Sequence, residues 1–195
     1  MPAPAPARPE LQHISWESTP ENDISPLVHQ QLNTLLRAAF PYTVDQFRDG
    51  RSWAGARPER RVIGWADGRP VAHTGLLRRF LRVGGQEQLV GEVGLVAVHP
   101  DLQGIGAGRA LADRTRQALA SLELPFGYLN CMDSVLGYYT SAGWIEVSGA
   151  DTRHYEPDDE LTAVVTTARP LILPVAADAV SWPAGPRIER DGTEL

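Results

Sequence analysis

The stretch from Arg61 to Val98 constrains the fold more than any other part of the chain, because it carries β-forming runs separated by two tight-turn signals. Arg61-Val62-Ile63-Gly64-Trp65 and Val71 to Leu77 flank Asp67-Gly68, whose residue types favour the left-handed conformations of a type I′ hairpin turn. Gly84-Gly85 marks a second turn, so Phe80 to Val83 and Leu89 to Val98 read as further antiparallel strands of one meander, ended by Pro100. Such a sheet must cover an apolar face with helices. Ser25-Pro26 offers an N-cap and first-turn proline ahead of Leu27, Leu32, Leu35, Leu36 and Phe40, and Pro41 stops that helix. Arg109 to Leu122 and Ser134 to Ala142 are the other predicted helices, with a short strand, Pro125 to Leu129, between them. Gln12 to Glu17, Leu161 to Thr167 and Leu171 to Val175 are further candidate strands; Asp45 to Arg57 is a polar connection, and the tail from Trp182 to Pro186 reads as irregular. The expected class is α/β in the α+β sense, a mostly antiparallel mixed sheet with flanking helices in one domain spanning 11–195. It follows a Pro/Ala arm over 1–10.

At 195 residues one domain buries roughly 70% of its unfolded surface, so a substantial core is available. The net charge is −6, and no basic run exceeds Arg78-Arg79 followed by Arg82, which argues against nucleic acid. No segment approaches the ~20 apolar residues of a membrane span, and the start lacks the features of a signal peptide, so the expected location is cytoplasmic. Cys131 is the single cysteine, which excludes an internal disulfide and a cysteine-based metal site; no metal is expected. All eighteen basic residues are arginine, so lysine nucleophiles and Schiff bases are excluded.

Gln103-Gly104-Ile105-Gly106-Ala107-Gly108 lies between a strand and a helix. It lacks the Gly-Lys-Ser/Thr of a P-loop, yet glycines at a helix start let backbone N–H groups approach an anion, and a pyrophosphate suits that arrangement. The run from Leu95 to Leu111 resembles the coenzyme-A motif of the GNAT N-acetyltransferase superfamily, Gln/Arg-x-x-Gly-x-Gly/Ala. Tyr139-Thr140-Ser141-Ala142-Gly143-Trp144 resembles its Tyr-x-x-x-Gly-Phe element. The resemblance implies a sheet splayed at the coenzyme site, with Val96, Ala97 and Val98 facing pantetheine and Val96 N–H as oxyanion donor. It also implies that the loop of Gln103, Gly104, Ile105, Gly106, Ala107, Gly108 and Arg109 holds the pyrophosphate. Asn130, before Cys131 at a strand end, is placed beside the thioester.

A narrower resemblance spans most of the chain. Gly50 to Glu59, Ala72 to Phe80, Glu92 to Leu102, and the ending Ser181-Trp182-Pro183-Ala184-Gly185 with Ile188, Arg190, Gly192, Glu194 and Leu195 are similar to the nodulation N-acyltransferases. Those enzymes acylate a de-N-acetylated amino sugar in chitin oligosaccharides, taking a fatty acyl chain from an acyl carrier protein and using a less glycine-rich loop. The Tyr-x-x-x-Gly-Trp element, the acidic run Pro157-Asp158-Asp159-Glu160 and the Ser-Trp-x-Ala-Gly string are similar to aminoglycoside 2′-N-acetyltransferases. Together these imply direct acyl transfer from acetyl-CoA to a primary amine of a small amino-sugar acceptor. A long-chain donor on an acyl carrier protein and a non-catalytic coenzyme-A-binding module are the alternatives. Dimerisation of many relatives adds a homodimer to the expected partners. An acidic protein also steers a polycationic acceptor inward and repels an acidic carrier.

Acyl transfer needs a neutral amine, a stabilised oxyanion and a protonated leaving thiolate. Glu92 lies in the apolar run Leu89-Val90-Gly91-Glu92-Val93-Gly94-Leu95, where a carboxyl should have a raised pKa. It precedes Gln103 by eleven residues, the separation at which several superfamily members place a general base. The other reading is a solvated edge glutamate. Tyr139 is the candidate acid for the thiolate, against core packing beside Tyr138. Asp45, Asp158 and Asp159, together with Glu92, are expected to face the acceptor. His73 and His99 read as structural histidines, Cys131 lacks an activating partner, and Arg78, Arg79 and Arg82 suit either a phosphate, a carrier protein or a solvated strand face.

Overall fold

The segments 71–77 and 80–83 form one continuous strand in the computed structural model, which describes residues 13–156 and 162–195. The chain runs β1 (Ser15–Pro20), α1 (Pro26–Ala39), β2 (Arg60–Ala66), β3 (Arg69–Val83), β4 (Gln86–Val98), α2 (Ala107–Ser121) and β5 (Phe126–Cys131). It continues with α3 (Asp133–Ser141), β6 (Ile145–Glu146), β7 (Asp151–Tyr155), β8 (Ala163–Thr166), β9 (Arg169–Pro174) and β10 (Arg187–Arg190). The sheet order is β6-β9-β5-β4-β3-β10-β7-β8, and β1 and β2 extend from β3 as a branch. β3 makes that branching possible through its length. One edge pairs β4, while the other pairs β2 over Arg69–Leu76 and β10 over Leu81–Val83. Among the described residues only β4–β5 and β7–β10 are parallel pairs, so the mixed, mainly antiparallel sheet matches the sequence reading.

Asp67 and Gly68 both have positive φ, as the turn chemistry requires. Ser25 Oγ accepts from Val28 N at 3.3 Å and starts α1, which buries Leu32, Leu35 and Leu36. Leu27 departs from that apolar face and is exposed. Helix α2 crosses β4 and β5 where Gly91 pairs Gly127. A Cβ at Gly91 would fall 2.3 Å from Leu119 Cδ2, and one at Gly127 would fall 2.9 Å from Leu119 Cδ1, so the two glycines form the notch that seats this leucine. No described helix is long and apolar enough to cross a membrane.

Two sequence expectations are corrected. The first strand begins at Ser15 rather than Gln12, because its partner β2 starts pairing there, with Ser15 opposite Trp65. β7 was not anticipated, since its apolar character is confined to short alternation around Thr152 and His154. The tail from Trp182 to Pro186 is irregular, as the sequence suggests, yet it is well packed: Trp182 lies edge-on against Phe126, with ring centroids 5.1 Å apart, and Ala184-Gly185 lies across the β3–β4 turn. Gly185 comes so close that its Cβ would sit 2.5 Å from Gly84 Cα, and this contact delivers β10 to the edge of β3. The Pro/Ala arm and the acidic run with Asp158 and Asp159 lie outside the described residues.

A polar network crosses the α1 side of the sheet. Glu21, buried, accepts from Arg61 Nε at 2.5 Å, Arg61 Nη2 at 3.0 Å and Arg57 Nε at 2.6 Å. Burial opposes its charge, but these two guanidiniums hold the carboxyl below its ordinary pKa. Arg61 continues to the Ser52 carbonyl at 3.0 Å and to His73 Nε2 at 3.1 Å.

Candidate functional site

Strands β4 and β5 share only two registered pairs, Gly91 with Gly127 and Glu92 with Tyr128. Beyond Glu92, β4 stays with β3 while β5 follows β9, so the two parallel strands part and leave a V in the middle of the sheet. At the same place the β3–β4 register shifts between His73 and Gly75, and Leu95 adopts φ +54°. A left-handed non-glycine residue costs on the order of 1–3 kcal/mol and persists only where its surroundings fix it. Here the fixing contact is His73 Nδ1, 2.8 Å from the Leu95 carbonyl. Val96 and Val98 pack toward the cluster holding Leu111, Leu129 and Cys131; Ala97 is buried on the opposite face with Leu35, Leu36 and Phe47.

The glycine loop leads from β4 into α2. Gly104 and Gly106 have φ +77° and +97°, and Gly106 is the N-cap of α2 with no side chain to satisfy the first-turn donors. The leading N–H groups of a helix have no intrahelical acceptor, so this N-terminus offers donors and a positive dipole end to an anion. Gln103 Nε2 donates to the Val98 carbonyl at 3.3 Å, tying the loop to β4. Ile105 and Ala107 pack against Leu102, and Arg109 donates to the Ser141 carbonyl at 3.2 Å. Tyr138 donates to the Gly108 carbonyl at 2.9 Å, and its ring would lie 3.2 Å from a Cβ at Gly108. The first turn of α2 is thereby clamped to α3.

Tyr139, next on α3, packs edge-on against Trp144 with centroids 5.8 Å apart and shares the cluster of Val96, Val98 and Cys131. Burial raises its pKa, and Tyr138 and Cys131 add to the shift, so the phenol stays protonated well into alkaline solution. Burial likewise pushes the Cys131 thiol up, which leaves it a poor nucleophile.

Glu92 is buried, but not among apolar groups as its neighbours in sequence suggest. Its Oε1 accepts from Arg190 Nη1 at 2.6 Å and from Leu195 N at 3.2 Å, and Arg79 Nε lies 2.8 Å from Oε2. The alternating strand aims flanking side chains outward and sends Arg79 inward, which sequence charge alone did not separate from its neighbours. Arg78 pairs with Glu59, and Arg82 lies 3.8 Å from Glu189. Asn130 belongs to the same interior. It accepts from Tyr128 Oη at 3.1 Å and Thr152 Oγ1 at 3.0 Å, and donates to Glu194 Oε1 at 3.3 Å.

Next to this cluster a cleft of about 540 Å³ opens, lined by Gln46, Gly55, His154, Glu156, Glu194 and Leu195 among others. Leu195 separates it from β4, since its carbonyl oxygen would lie 2.6 Å from a Cβ at Gly94. His154 is buried, and its Nδ1 has no hydrogen-bond partner among the described residues. Asp45 instead pairs with Arg48 at 3.5 Å on the surface, while Gln46 beside it faces the cleft.

The family model for nodulation protein A matches residues 11–195. The chain belongs to the nodulation protein A family. Nodulation protein A of Rhizobium leguminosarum bv. trifolii is 37% identical over 196 residues, covering 93% of this chain and 98% of the relative. That of Mesorhizobium japonicum is 35% identical over 200 residues, covering 96% and 100%. Among solved structures, the Escherichia coli GNAT family N-acetyltransferase YhbS in complex with CoA aligns with TM-score 0.60 at 18% identity, covering 96% of this chain and 92% of that one. Escherichia coli ElaA aligns with TM-score 0.56 at 21% identity, covering 82% and 99%. This member of the nodulation protein A family therefore has the GNAT fold and is an acyltransferase.

In this family member, His154, Thr152 and Gln46 escaped sequence reasoning because each sits in a short or irregular segment without a motif. The ending with Arg190, Glu194 and Leu195 was visible only as similarity, and its placement beside Glu92 depends on the route of the tail. Gly106→Val forces a β-branched residue into φ +97° at the N-cap of α2. It is expected to weaken CoA binding by about tenfold or more, as the anion loses helix-terminal donors. Calorimetric titration with CoA checks it, and an unchanged Kd in a folded variant would place the pyrophosphate elsewhere.

Proposed function

We propose that this chain transfers an acyl group from a CoA thioester, acetyl-CoA first among them, to a primary amine on an amino sugar. The observation that carries the reading is the V between β4 and β5. It opens between the uncapped, glycine-rich start of α2 on one side and the protonated Tyr139 phenol on the other. Gln103 through Arg109 suit the pyrophosphate, and the stretch of β4 around Val96 and Val98, beyond its last pair with β5, suits the pantetheine arm. The ammonium first gives up one proton to solvent, the freed lone pair attacks the thioester carbonyl carbon, and the C–S bond breaks; Tyr139 protonates the leaving sulfur, and the second nitrogen proton, passed through water, restores the phenol. The cleft supports a cationic acceptor, because Glu156 and Glu194 line it and an amino sugar arrives as an ammonium. Glu92, engaged by two guanidiniums and Leu195 N, we assign to holding Arg190 and the chain end in place.

The family match favours a second reading in which the donor is a long acyl chain on an acyl carrier protein. Both donors can be compared directly. Acetyl-CoA, a long-chain acyl-CoA and a long-chain acyl carrier thioester are each offered with a de-N-acetylated chitin oligosaccharide and with an aminoglycoside, and free thiol and product mass are measured. Thiol release from acetyl-CoA with an acylated amino sugar is the expected result. Turnover of the carrier thioester alone would transfer the donor assignment to the second reading, and no product from any donor would overturn amino-sugar acylation.

A further inference from the structure

We propose that Arg61 and His73 are positioning residues that aim and polarise the Leu95–Val96 peptide, making Val96 N–H the donor to the thioester carbonyl oxygen. The inference rests on the acyl-transfer reading and deepens it. A guanidinium can only donate, so the 3.1 Å contact between Arg61 Nη1 and His73 Nε2 makes Nε2 an acceptor. The imidazole proton is then on Nδ1, which donates to the Leu95 carbonyl at 2.8 Å. Burial, reinforced by the Arg61 charge, pushes the His73 pKa down to about 3, so this neutral tautomer is the resident form near neutral pH.

The acceptor is not an arbitrary carbonyl. It belongs to the left-handed residue at the register shift where β4 leaves β5. The peptide bond is trans, so its C=O and N–H point in opposite directions across one rigid plane. Fixing the Leu95 oxygen toward His73 therefore fixes Val96 N–H to face the other way. The donors also run head to tail: Arg61 into His73, His73 into Leu95 C=O. Each bond withdraws electron density from the next, and a carbonyl polarised this way makes its own amide N–H a stronger donor. Glu21 anchors the far end by gripping Arg61 with both oxygens, so the relay is buried from end to end.

The decisive measurement is the infrared stretch of acetyl-CoA labelled with ¹³C at the thioester carbonyl, bound without acceptor, alongside kcat, KM and thermal melting. In the wild type the stretch should lie below that of free acetyl-CoA. His73→Leu removes both bonds and should return the frequency toward the free value, with kcat falling about tenfold or more and KM for acetyl-CoA little changed. His73→Asn keeps a donor to the Leu95 carbonyl but cannot span to Arg61; an intermediate frequency and kcat are expected, and it decides the matter if His73→Leu does not fold. Wild-type frequency and kcat in either folded variant would overturn the relay, as would a lowered melting temperature with no change in frequency. Bound acetyl-CoA with an unshifted carbonyl in the wild type would overturn the relay while leaving acyl transfer standing. Failure of the wild type to bind acetyl-CoA at all would remove the donor assignment and the relay together.

Discussion

Tyr139→Phe is expected to lower kcat by about 10²-fold or more while leaving CoA affinity nearly unchanged. The leaving group in thioester aminolysis is a thiolate, and a positioned proton donor lowers the barrier to its departure. Tyr139 suits that task because its ring is locked by Tyr138 and Trp144, with centroids 4.9 and 5.8 Å away. Phenylalanine preserves those edge-to-face contacts and removes only the hydroxyl, so packing and cofactor affinity should survive. The raised pKa adds a second readout. A group that stays protonated through about pH 10 contributes no alkaline loss of activity below that value, so any descending limb near neutral pH belongs to another group. Steady-state kinetics with acetyl-CoA, paired with calorimetric CoA titration, test both points. An unchanged kcat would remove Tyr139 from the chemistry, whereas a large loss of CoA affinity would make it a packing residue. Cys131 supplies an internal comparison: it shares the cluster but is buried and raised in pKa, so Cys131→Ala should not reproduce the loss.

Sequence legibility followed how local each signal is. The meander from Arg61 to Val98 could be read because turn chemistry at Asp67-Gly68 and Gly84-Gly85 is encoded in adjacent residues. The glycine loop could be read because its function lies in backbone donors, and only glycine types at fixed spacing permit them. Glu92 shows where the method ends. Its neighbours in sequence are apolar, but its neighbours in space are Arg79 from one strand and Arg190 from another nearly a hundred residues away. An alternating strand sends flanking residues to the opposite face, so an apolar run says little about what a polar residue within it meets. His73 is the complementary case: its burial was expected, but its partner carbonyl follows from a bulge that no residue string announces. The cleft was least legible of all, since it is assembled from the segment around Gln46, the β7–β8 hairpin and the residues after β10.

Arg190→Leu is expected to destabilise the fold by about 1.5–3 kcal/mol, because the buried Glu92 carboxylate loses its 2.6 Å charged donor and keeps only Arg79 as a cation. That is a large share of the roughly 5–15 kcal/mol available to a domain. The side chain of Arg190 is fully buried, its Nη1 bridges Glu92 and Glu194, and its Nε and Nη2 make no hydrogen bonds among the described residues. Such a residue is a poor source of net stability, since desolvation of the charge offsets most of the attraction; the cost arises when one partner is removed. The double variant Glu92→Leu/Arg190→Leu should recover part of the loss, since Arg79 gives up its carboxylate but keeps the Asp191 and Thr193 carbonyls as acceptors; urea denaturation of wild type, both single variants and the double variant measures the coupling. Additive losses would mean that the pair is not coupled. Retention of so costly a pair is explained by what it holds: β10 against β3, Glu194 toward Asn130, and Leu195 across Gly94 at the boundary of the cleft. If that is its purpose, the double variant should regain stability yet keep a raised KM for the amino-sugar acceptor, with KM for acetyl-CoA unaffected. Recovery of both stability and acceptor KM would show the pair to be dispensable to the cleft.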